Sequence, residues 1–299
     1  MLTAIVGTII MSGLGRFEYS ELHMGVRVNL TVYAAGPETA ARACRKAFDR
    51  FADLEAIMSD YRPDSELMKL CALAGQGAHP ISPDLAVVLR RAQRVAERSG
   101  GAFDVTCGPY IQLWRHARKT RKLPSSSDLA AARSHVGFQL LHLTDTTATL
   151  DRPGMRLDLG GIAKGYACDE AVEALKAEGI DRGMVEAGGD VACLGTPPGK
   201  IGWHVVIAGT GFEFWLKNQA ISTSGDAEQH VTIGGKRYSH ICDPRTGLGL
   251  TTRRQVSVVA DTGLITDSLS TALCVLDEAE GRALAQADGA QAVYVKKLQ

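Results

Sequence analysis

The change of hydrophobic period along the chain constrains the fold more than any other feature of the sequence. Residues 26–33 alternate apolar and polar side chains, which predicts a half-buried strand. Between residues 184 and 260 the pattern becomes one of short strands separated by Gly, Pro and Asn turns. Apolar stripes at helical spacing predict helices over residues 37–58, 83–99, 162–178, 265–276 and 278–287. Because these elements do not alternate as regular βαβ units, we predict an α+β fold with largely antiparallel strands.

Length and charge limit the class of protein. The 299 residues are enough for one large domain or two modest ones, each with its own core. Lys and Arg together number 33, as do Asp and Glu, so the formal net charge is zero. A duplex-binding protein would need a basic surface, so no nucleic-acid partner is expected. The basic run over residues 115–122 is interpreted as a solvated loop or helix end.

The spacing of cysteine and glycine excludes several kinds of site. The seven cysteines are widely separated and include no CxxC pair, so they predict core side chains rather than a zinc ribbon or a thioredoxin-like motif. No GxxxxGK[ST] loop is present, and Gly160, Gly161 and Gly165 do not form GxGxxG. A bound nucleotide would therefore be held by another geometry.

The N-terminal residues form a separate apolar segment. The first fifteen are uncharged and apolar, whereas a bilayer span takes about 20 residues. They resemble the hydrophobic part of a signal peptide without the basic residues that normally precede it. We predict an apolar segment over residues 1–19 and the functional domain over residues 20–299. The segment is either a signal or anchor remnant, or a buried strand of a cytoplasmic protein.

Two segments carry residue types that suit phosphate and metal chemistry. A strand passes through two glycines into a helix that begins near Lys164. Backbone N–H groups and a lysine at such a helix start can bind an anion. Asp267 and Thr271 lie four residues apart, hence on one face of a helix. A carboxylate and a hydroxyl at that spacing suit Mg²⁺.

Each of these residues also has an ordinary structural explanation. Asp267 would cap its helix, and Lys164 would be a surface residue in a first helical turn. His240 would be a strand residue that is hydrogen-bonded to Asp243. Tyr61 would be a half-buried anchor whose hydroxyl reaches water. Taken singly, these signals do not decide the function.

The order of the polar segments is more informative than any one of them. Eight segments follow one another as Met24-Gly, Ser59-Asp-Tyr61-Arg-Pro-Asp-Ser, Gly101-Ala-Phe-Asp, Asp158-Leu-Gly-Gly-Ile-Ala-Lys-Gly, Ala187-Gly-Gly-Asp, Thr223-Ser-Gly, Tyr238-Ser-His-Ile-Cys-Asp-Pro-Arg-Thr-Gly and Asp267-x-x-x-Thr271. Over residues 20–295 this series resembles the FAD:protein FMN transferases, the ApbE flavin transferase family. The resemblance implies an α+β fold of two subdomains, with a mixed, largely antiparallel sheet and FAD in the cleft between them. Residues 20–299 would then be the transferase domain.

The resemblance also implies a set of site residues. It implies FAD contacts at Met24, Tyr61, Ala102, Phe103, Asp104, Asp158, Lys164 and Ile241. It implies that Mg²⁺ is held by the carboxylate of Asp267, the hydroxyls of Thr271 and Ser270, and the backbone carbonyl of Gly161. His240 matches the histidine to which the family assigns the chemistry. Three positions depart from the family pattern: Ser268 and Ser270 replace commoner alanines, and Ala227 stands where an aromatic residue is frequent.

The implied reaction is an Mg²⁺-dependent transfer of FMN from FAD to a threonine or serine hydroxyl of a target flavoprotein, with release of AMP. Two alternatives stay open: an Mg²⁺-dependent FAD pyrophosphatase that gives FMN and AMP, and a flavin-binding protein without turnover. The resemblance favours a periplasmic or inner-membrane-associated location, close to the membrane through the N-terminus or the target. A cytoplasmic location is the alternative.

Overall fold

In the computed structural model of this protein, the structure describes residues 5–6, 13–226 and 229–297. The helices are α1 (Pro37–Met58), α2 (Glu66–Ala72), α3 (Pro83–Arg98), α4 (Gly108–Thr120), α5 (Ser126–Arg133), α6 (Ala163–Ala177), α7 (Gly263–Val275) and α8 (Glu278–Ala287). The strands are β1 (Ile5–Val6), β2 (Gly15–His23), β3 (Val26–Ala34), β4 (Ala78–Pro80), β5 (Leu141–Leu143), β6 (Thr147–Leu150), β7 (Gly183–Ala187), β8 (Asp190–Leu194), β9 (Trp203–Ile207), β10 (Phe212–Leu216), β11 (Ala220–Gly225), β12 (His230–Ile233), β13 (Lys236–Ser239), β14 (Cys242–Asp243), β15 (Leu248–Gly249), β16 (Arg254–Ala260) and β17 (Ala292–Lys297).

An eight-stranded antiparallel sheet lies at the centre, in the order β1-β2-β3-β7-β8-β11-β16-β17. Its register places Leu30 of β3 opposite Tyr19 on one side and Val185 on the other. Strands β4, β6 and β5 form a smaller sheet, and the pairs β9–β10, β12–β13 and β14–β15 form separate hairpins. Helices and antiparallel strands are therefore combined as the α+β prediction requires, and that prediction is confirmed.

Both faces of the central sheet are covered. Successive strand residues point to opposite faces, so neighbouring residues of β16 join different cores. Val258 lies in the main core with Phe48 of α1 and Leu269 of α7. Val259 lies in a second cluster with Trp203 of the β9–β10 hairpin. Full burial of side chains of this size stabilises the fold by about 1.5–3 kcal/mol each.

A third apolar cluster supports the part of the chain that carries His240. It joins Tyr110 and Trp114 of α4 to Val231 and Tyr238 of the β12–β13 hairpin. The rings of Trp114 and Tyr238 lie 5.2 Å apart, and Trp114 Nε1 donates a hydrogen bond of 2.9 Å to the carbonyl of Gly247. Helix α4 therefore fixes the polar segment that follows β13.

Most of the expected elements are present, and several others were not predicted. The five predicted helices correspond to α1, α3, α6, α7 and α8, with ends that agree within two residues. Helices α2, α4 and α5 and strands β2, β4, β5 and β6 were not predicted. The basic run 115–122, interpreted as a solvated loop or helix end, comprises the last residues of α4, which continues to Thr120, and the two residues that follow. The seven cysteines are free, and all but the half-buried Cys107 are buried, as predicted.

The predicted apolar segment 1–19 lies largely outside the described residues. Within it, Ile5–Val6 pairs with β2 at the edge of the sheet, and β2 itself runs from Gly15 across residue 20. No helix among the described residues combines the length and the apolar character that a bilayer crossing needs. The role of the segment as a signal, an anchor or a strand therefore stays a prediction. Ala227, which departs from the family pattern, also lies outside the described residues.

Candidate active site

A tight crossing of α6 and α7 brings Lys164 and Asp267 together. The Oδ2 atom of Asp267 accepts a hydrogen bond of 3.0 Å from the backbone N–H of Gly165 and lies 3.7 Å from Lys164 Nζ. Gly165 permits this approach, because a Cβ atom there would lie 2.1 Å from the carbonyl oxygen of Gly263. Asp267 is in the second turn of α7, whereas the cap is Thr262, whose hydroxyl accepts from a backbone N–H. The expectation that Asp267 merely caps its helix is therefore wrong.

The charge at this crossing is unbalanced. Lys164 Nζ also lies 3.1 Å from Asp190 Oδ2, and both Asp190 and Asp267 are 3% exposed. Burial alone would lower the pKa of Lys164, but the charges of Asp190 and Asp267 outweigh it and raise that pKa above the usual range. Burial and the charge of Asp190 together raise the pKa of Asp267 to about 7. Two buried carboxylates share one ammonium group, so the centre has an excess of one negative charge when both carboxylates are ionised. Lys164 is thus not the simple surface residue of the alternative explanation.

Two further predicted ligands, Thr271 and Gly161, lie next to each other near Asp267. Thr271 lies one turn after Asp267, and a Cβ atom at Gly161 would be 2.9 Å from Thr271 Oγ1. The predicted ligands Gly161, Asp267 and Thr271 are therefore brought together. The Oγ of the fourth predicted ligand, Ser270, lies 2.8 Å from Ser224 Oγ and donates to the carbonyl of Asp267, and Thr271 Oγ1 lies 3.2 Å from the same Ser224 hydroxyl.

This donor set fits a hard cation such as Mg²⁺. It combines one carboxylate with hydroxyl and backbone oxygens, which Mg²⁺ prefers to nitrogen or sulfur. A divalent cation would also supply the positive charge that the two buried carboxylates lack. Among the described residues no group of three or more His, Cys, Asp or Glu side chains has a metal-binding arrangement. The predicted set differs from such groups because a single carboxylate provides its charged ligand.

Hydroxyl pairs attach α7 to the central sheet at Thr266 and Ser270, whereas Ser268 contacts α3. Ser222 of β11 lies 2.7 Å from Thr266 of α7, hydroxyl to hydroxyl. Ser268 accepts a hydrogen bond of 3.1 Å from Arg91 Nε, and Ser270 has the contact with β11 described above. Both serines that replace commoner alanines therefore have hydrogen-bond partners in this chain.

The predicted flavin residues Tyr61 and Asp158 meet at Arg115 of α4. The guanidinium carbon of Arg115 lies 4.1 Å from the centre of the Tyr61 ring, which is 74% exposed. Arg115 also pairs with Asp60 at 2.5 Å and with Asp158 at 3.2 Å. Burial and the charge of Asp60 raise the pKa of Asp158, whereas the backbone N–H of Gly160 and Arg115 oppose that shift. Tyr61 is therefore exposed rather than half-buried, and one of its faces contacts a cation.

The remaining predicted FAD contacts divide into two groups. Met24 is half-buried in the turn between β2 and β3, at a φ of 49°. The side chains of Ala102, Phe103, Asp104 and Ile241 lie in the interior, with at most 8% exposure. Asp104 accepts hydrogen bonds from the backbone and the hydroxyl of the nearby Thr106, and burial raises its pKa. These four side chains offer little surface to a ligand, so FAD contacts there would involve backbone atoms.

His240 follows β13 and is oriented by one carbonyl group. Its Nδ1 atom lies 3.0 Å from the carbonyl oxygen of Gln229, and its backbone N–H donates to the same oxygen. Because a carbonyl only accepts, Nδ1 carries the proton and Nε2 of the neutral ring keeps its lone pair. Asp243 pairs with Arg245 at 2.9 Å instead. The alternative of a histidine held by Asp243 is therefore wrong.

Surrounding groups keep the His240 ring neutral. Burial lowers its pKa, and the positive charges of Arg118 and Lys164 lower it further against the opposing hydrogen bond to Gln229. A neutral imidazole with a free Nε2 is the form that can accept a proton.

Sequence reasoning missed several residues of this site. Asp190 and Ser224 lie in the Ala187-Gly-Gly-Asp and Thr223-Ser-Gly segments, which were noted without a role for either residue. Arg115 was visible only as the start of a basic run. Gln229 had no signal, because its contribution is a backbone carbonyl.

Comparison with known proteins agrees with this arrangement. The ApbE family matches the chain over residues 24–294. FAD:protein FMN transferases of Vibrio cholerae and Treponema pallidum are 32% and 33% identical to it over 250 and 285 residues. These alignments cover 80% and 87% of this chain and 75% and 79% of the relatives.

Solved structures show the same likeness. A histidine-to-glycine mutant of the flavin transferase ApbE from Vibrio cholerae has a TM-score of 0.86 at 29% identity, and the match covers 95% of this chain and 94% of that one. The apo flavinyl transferase ApbE of Pseudomonas stutzeri has a TM-score of 0.85 at 28% identity, with 96% and 92% covered. The chain belongs to the ApbE family.

Proposed function

We propose that this protein transfers the FMN part of FAD to a threonine or serine hydroxyl of a target flavoprotein and releases AMP, in a reaction that depends on Mg²⁺. The observation that carries the proposal is the buried centre in which Asp190 and Asp267 share Lys164, with Thr271 and the backbone of Gly161 beside it. The names of the curated relatives support flavin transfer as the reaction class.

The residues around the centre would act on the pyrophosphate of FAD. Asp267, Thr271 and the backbone of Gly161 would hold Mg²⁺, which supplies positive charge against the phosphate oxygens when it is bound. Lys164 keeps the two carboxylates in place and contributes a fixed positive charge. Charge placed in advance in this way stabilises the transition state without reorganisation.

His240 would take the proton of the acceptor. The acceptor oxygen forms a bond to the FMN-side phosphorus, and the bond from that phosphorus to the bridging oxygen breaks. AMP leaves with the bridging oxygen, and the hydroxyl proton moves to Nε2 of His240. The hydrogen bond of Nδ1 to Gln229 supports this role because it leaves Nε2 available.

Tyr61 and Arg115 would hold the flavin end of the substrate. The outer face of the Tyr61 ring is open, while Arg115 contacts its other face. A flavin ring stacked on the open face would be oriented by a side chain that is itself held in place.

A product analysis tests the proposal. The full chain is incubated with FAD, Mg²⁺ and a candidate flavoprotein fragment, and both protein masses and nucleotides are measured. The proposal predicts that each modified fragment gains the mass of one FMN minus one water, and that one AMP is released for each modified fragment. Free FMN and AMP without modified protein would instead identify a pyrophosphatase, and unchanged FAD would identify a flavin carrier.

A further inference from the structure

A row of cations at the end of α4 is not used by the proposed chemistry. We name Arg118, Lys119, Arg121 and Lys122 the basic rim. Lys119, Arg121 and Lys122 are exposed, and in the part of the chain that the structure describes the rim makes no ion pair. The helix dipole favours lysine and arginine in the last turn of a helix, which explains Arg118 and Lys119. It does not explain Arg121 and Lys122, which lie beyond the last turn of α4. Four unneutralised cations within five residues are a concentrated charge on a chain with no net charge.

The rim lies beside the proposed entry of the acceptor hydroxyl. Trp114 packs on Tyr238, two residues before His240, and Arg118 follows Trp114 by one helical turn on the same face of α4. The charge of Arg118 reaches His240, where it contributes to the lowered pKa of the ring. The rim therefore lies at the end of the helix that packs against the segment carrying His240.

We propose that the basic rim is a docking surface for the acceptor protein, and that it binds acidic side chains flanking the modified threonine or serine. This inference rests on the proposed function, since only a protein acceptor has to approach His240. Opposite charge on the two partners would speed their encounter and fix the register of the acceptor segment. The rim is too small to follow the repeated phosphates of a duplex, and the chain as a whole carries no net positive charge.

The test compares two double variants of the full chain. Lys119→Gln/Lys122→Gln removes two rim charges, and Lys200→Gln/Lys217→Gln removes two exposed lysines that flank the β9–β10 hairpin. The probes are a fluorescent peptide with one threonine between Asp and Glu residues, the same peptide with Asn and Gln instead, and FAD. Fluorescence anisotropy gives the peptide affinities in low salt and in about 1 M salt, where screening acts within about 3 Å.

The proposal predicts that the rim variant binds the acidic peptide about 2- to 30-fold more weakly than the unchanged protein at low salt. The hairpin variant should bind it normally, the neutral peptide should bind weakly to all three proteins, and high salt should abolish the difference. FAD affinity should be the same in all three. Equal binding of both peptides, or equal binding by the rim variant and the unchanged protein, would overturn the proposal.

Two other ligands of the rim are separate outcomes. If the rim variant lost FAD affinity by the same factor as peptide affinity, the rim would hold the phosphates of the substrate, and the proposal would fail. The second ligand is a membrane, tested with vesicles of phosphatidylglycerol and phosphatidylcholine. If the unchanged protein binds these vesicles more tightly than it binds the acidic peptide, and the rim variant does not bind them, the rim is a membrane-binding surface and the proposal is refuted. Failure of the proposed function is seen independently, as absence of FAD binding or of FMN transfer in the product analysis.

Discussion

Asp267 is the residue whose charge has the most direct chemical consequence. Asp267→Asn keeps the shape of the side chain and leaves the pair between Asp190 and Lys164 intact, so the fold should persist. The loss of one carboxylate should lower Mg²⁺-dependent AMP release by about 10²-fold or more, the size of effect seen when a single stabilising group is removed from an active site. AMP release measured over a range of Mg²⁺ concentrations tests this. Asp145→Asn, at a fully exposed carboxylate, should behave as the unchanged protein. Full activity of Asp267→Asn with Mg²⁺ as the sole divalent cation would remove Asp267 from the site.

His240 predicts a particular pH dependence. Its ring must be neutral to accept a proton, and burial with nearby positive charge lowers its pKa below the usual 6.5. At Mg²⁺ concentrations high enough to keep Asp267 ionised, the acidic limb of transfer should therefore lie below pH 6.5, where the ring becomes charged. His240→Gln should reduce transfer by about 10²–10⁴-fold and remove this acidic limb, with FAD affinity and melting temperature unchanged. Near-normal transfer by His240→Gln would contradict the assignment.

Tyr61 and Arg115 predict a graded loss of flavin affinity. An aromatic contact contributes about 0.5–1.5 kcal/mol beyond burial, so Tyr61→Ala should weaken FAD binding by about 2- to 13-fold. Tyr61→Phe, the matched control, should retain the affinity. Arg115→Lys keeps a positive charge but loses the flat guanidinium that pairs with two carboxylates and contacts the ring, so it should also bind FAD more weakly. Flavin fluorescence titration measures all three. Equal FAD affinity of Tyr61→Ala and the unchanged protein would show that the Tyr61 ring does not contribute to flavin binding.

At the scale of residues, the sequence predicted which side chains belong to the site. It did not predict contacts between residues that are distant in the chain. The spacing of Asp267 and Thr271 could be read directly, because one helix sets it. The meeting of Asp190 with Lys164 depends on β8 and α6, and no local pattern reports such a contact. The assignment of Ser270 as a ligand stays a prediction, since its hydroxyl and that of Thr271 both contact Ser224.

At the scale of elements, periodicity predicted the long helices and failed for the short or weakly patterned ones. Helix α2 has seven residues, too few for a repeated stripe, and the apolar side of α5 consists largely of alanine. Helix α4 begins after Cys107, without a side-chain cap, so its start gave no polar signal. The start of α5 has a proper cap, Ser125, but it lies within a run of serines that also suggests a loop.

The crossing of α6 and α7 should be sensitive to a single methyl group. Gly165→Ala would place a Cβ atom 2.1 Å from a backbone oxygen of α7, so the helices must separate. Overpacking of this kind typically costs about 1–3 kcal/mol, and we expect the upper end because the obstacle is backbone. Gly36→Ala is the control, since nothing lies within 4 Å of the added atom. Urea unfolding of both variants measures the difference. Equal free energies of unfolding would contradict the close crossing.

At the scale of the whole molecule, substrate binding should appear as thermal stabilisation. FAD at about 100 times its Kd would stabilise the native state by about 2.7 kcal/mol. With an unfolding entropy of about 2.1 cal/mol/K per residue, this corresponds to a rise in Tm of about 4 °C for a chain of this size. A melting curve with and without FAD measures the rise, and Tyr61→Ala should show a smaller one at the same FAD concentration. No rise at saturating FAD would contradict binding to the folded protein.

The strand order of the central sheet also fixes where attached probes would lie. Strand β1 is at one edge and β17 at the other, so seven interstrand spacings separate them. At about 4.8 Å each, the two edges are roughly 34 Å apart. Donor and acceptor dyes placed on Ile5–Val6 and on β17 would therefore sit within the working range of resonance energy transfer, on opposite sides of an unbroken hydrogen-bonded ladder. Their separation would report the integrity of the whole sheet in one reading, independently of any flavin signal.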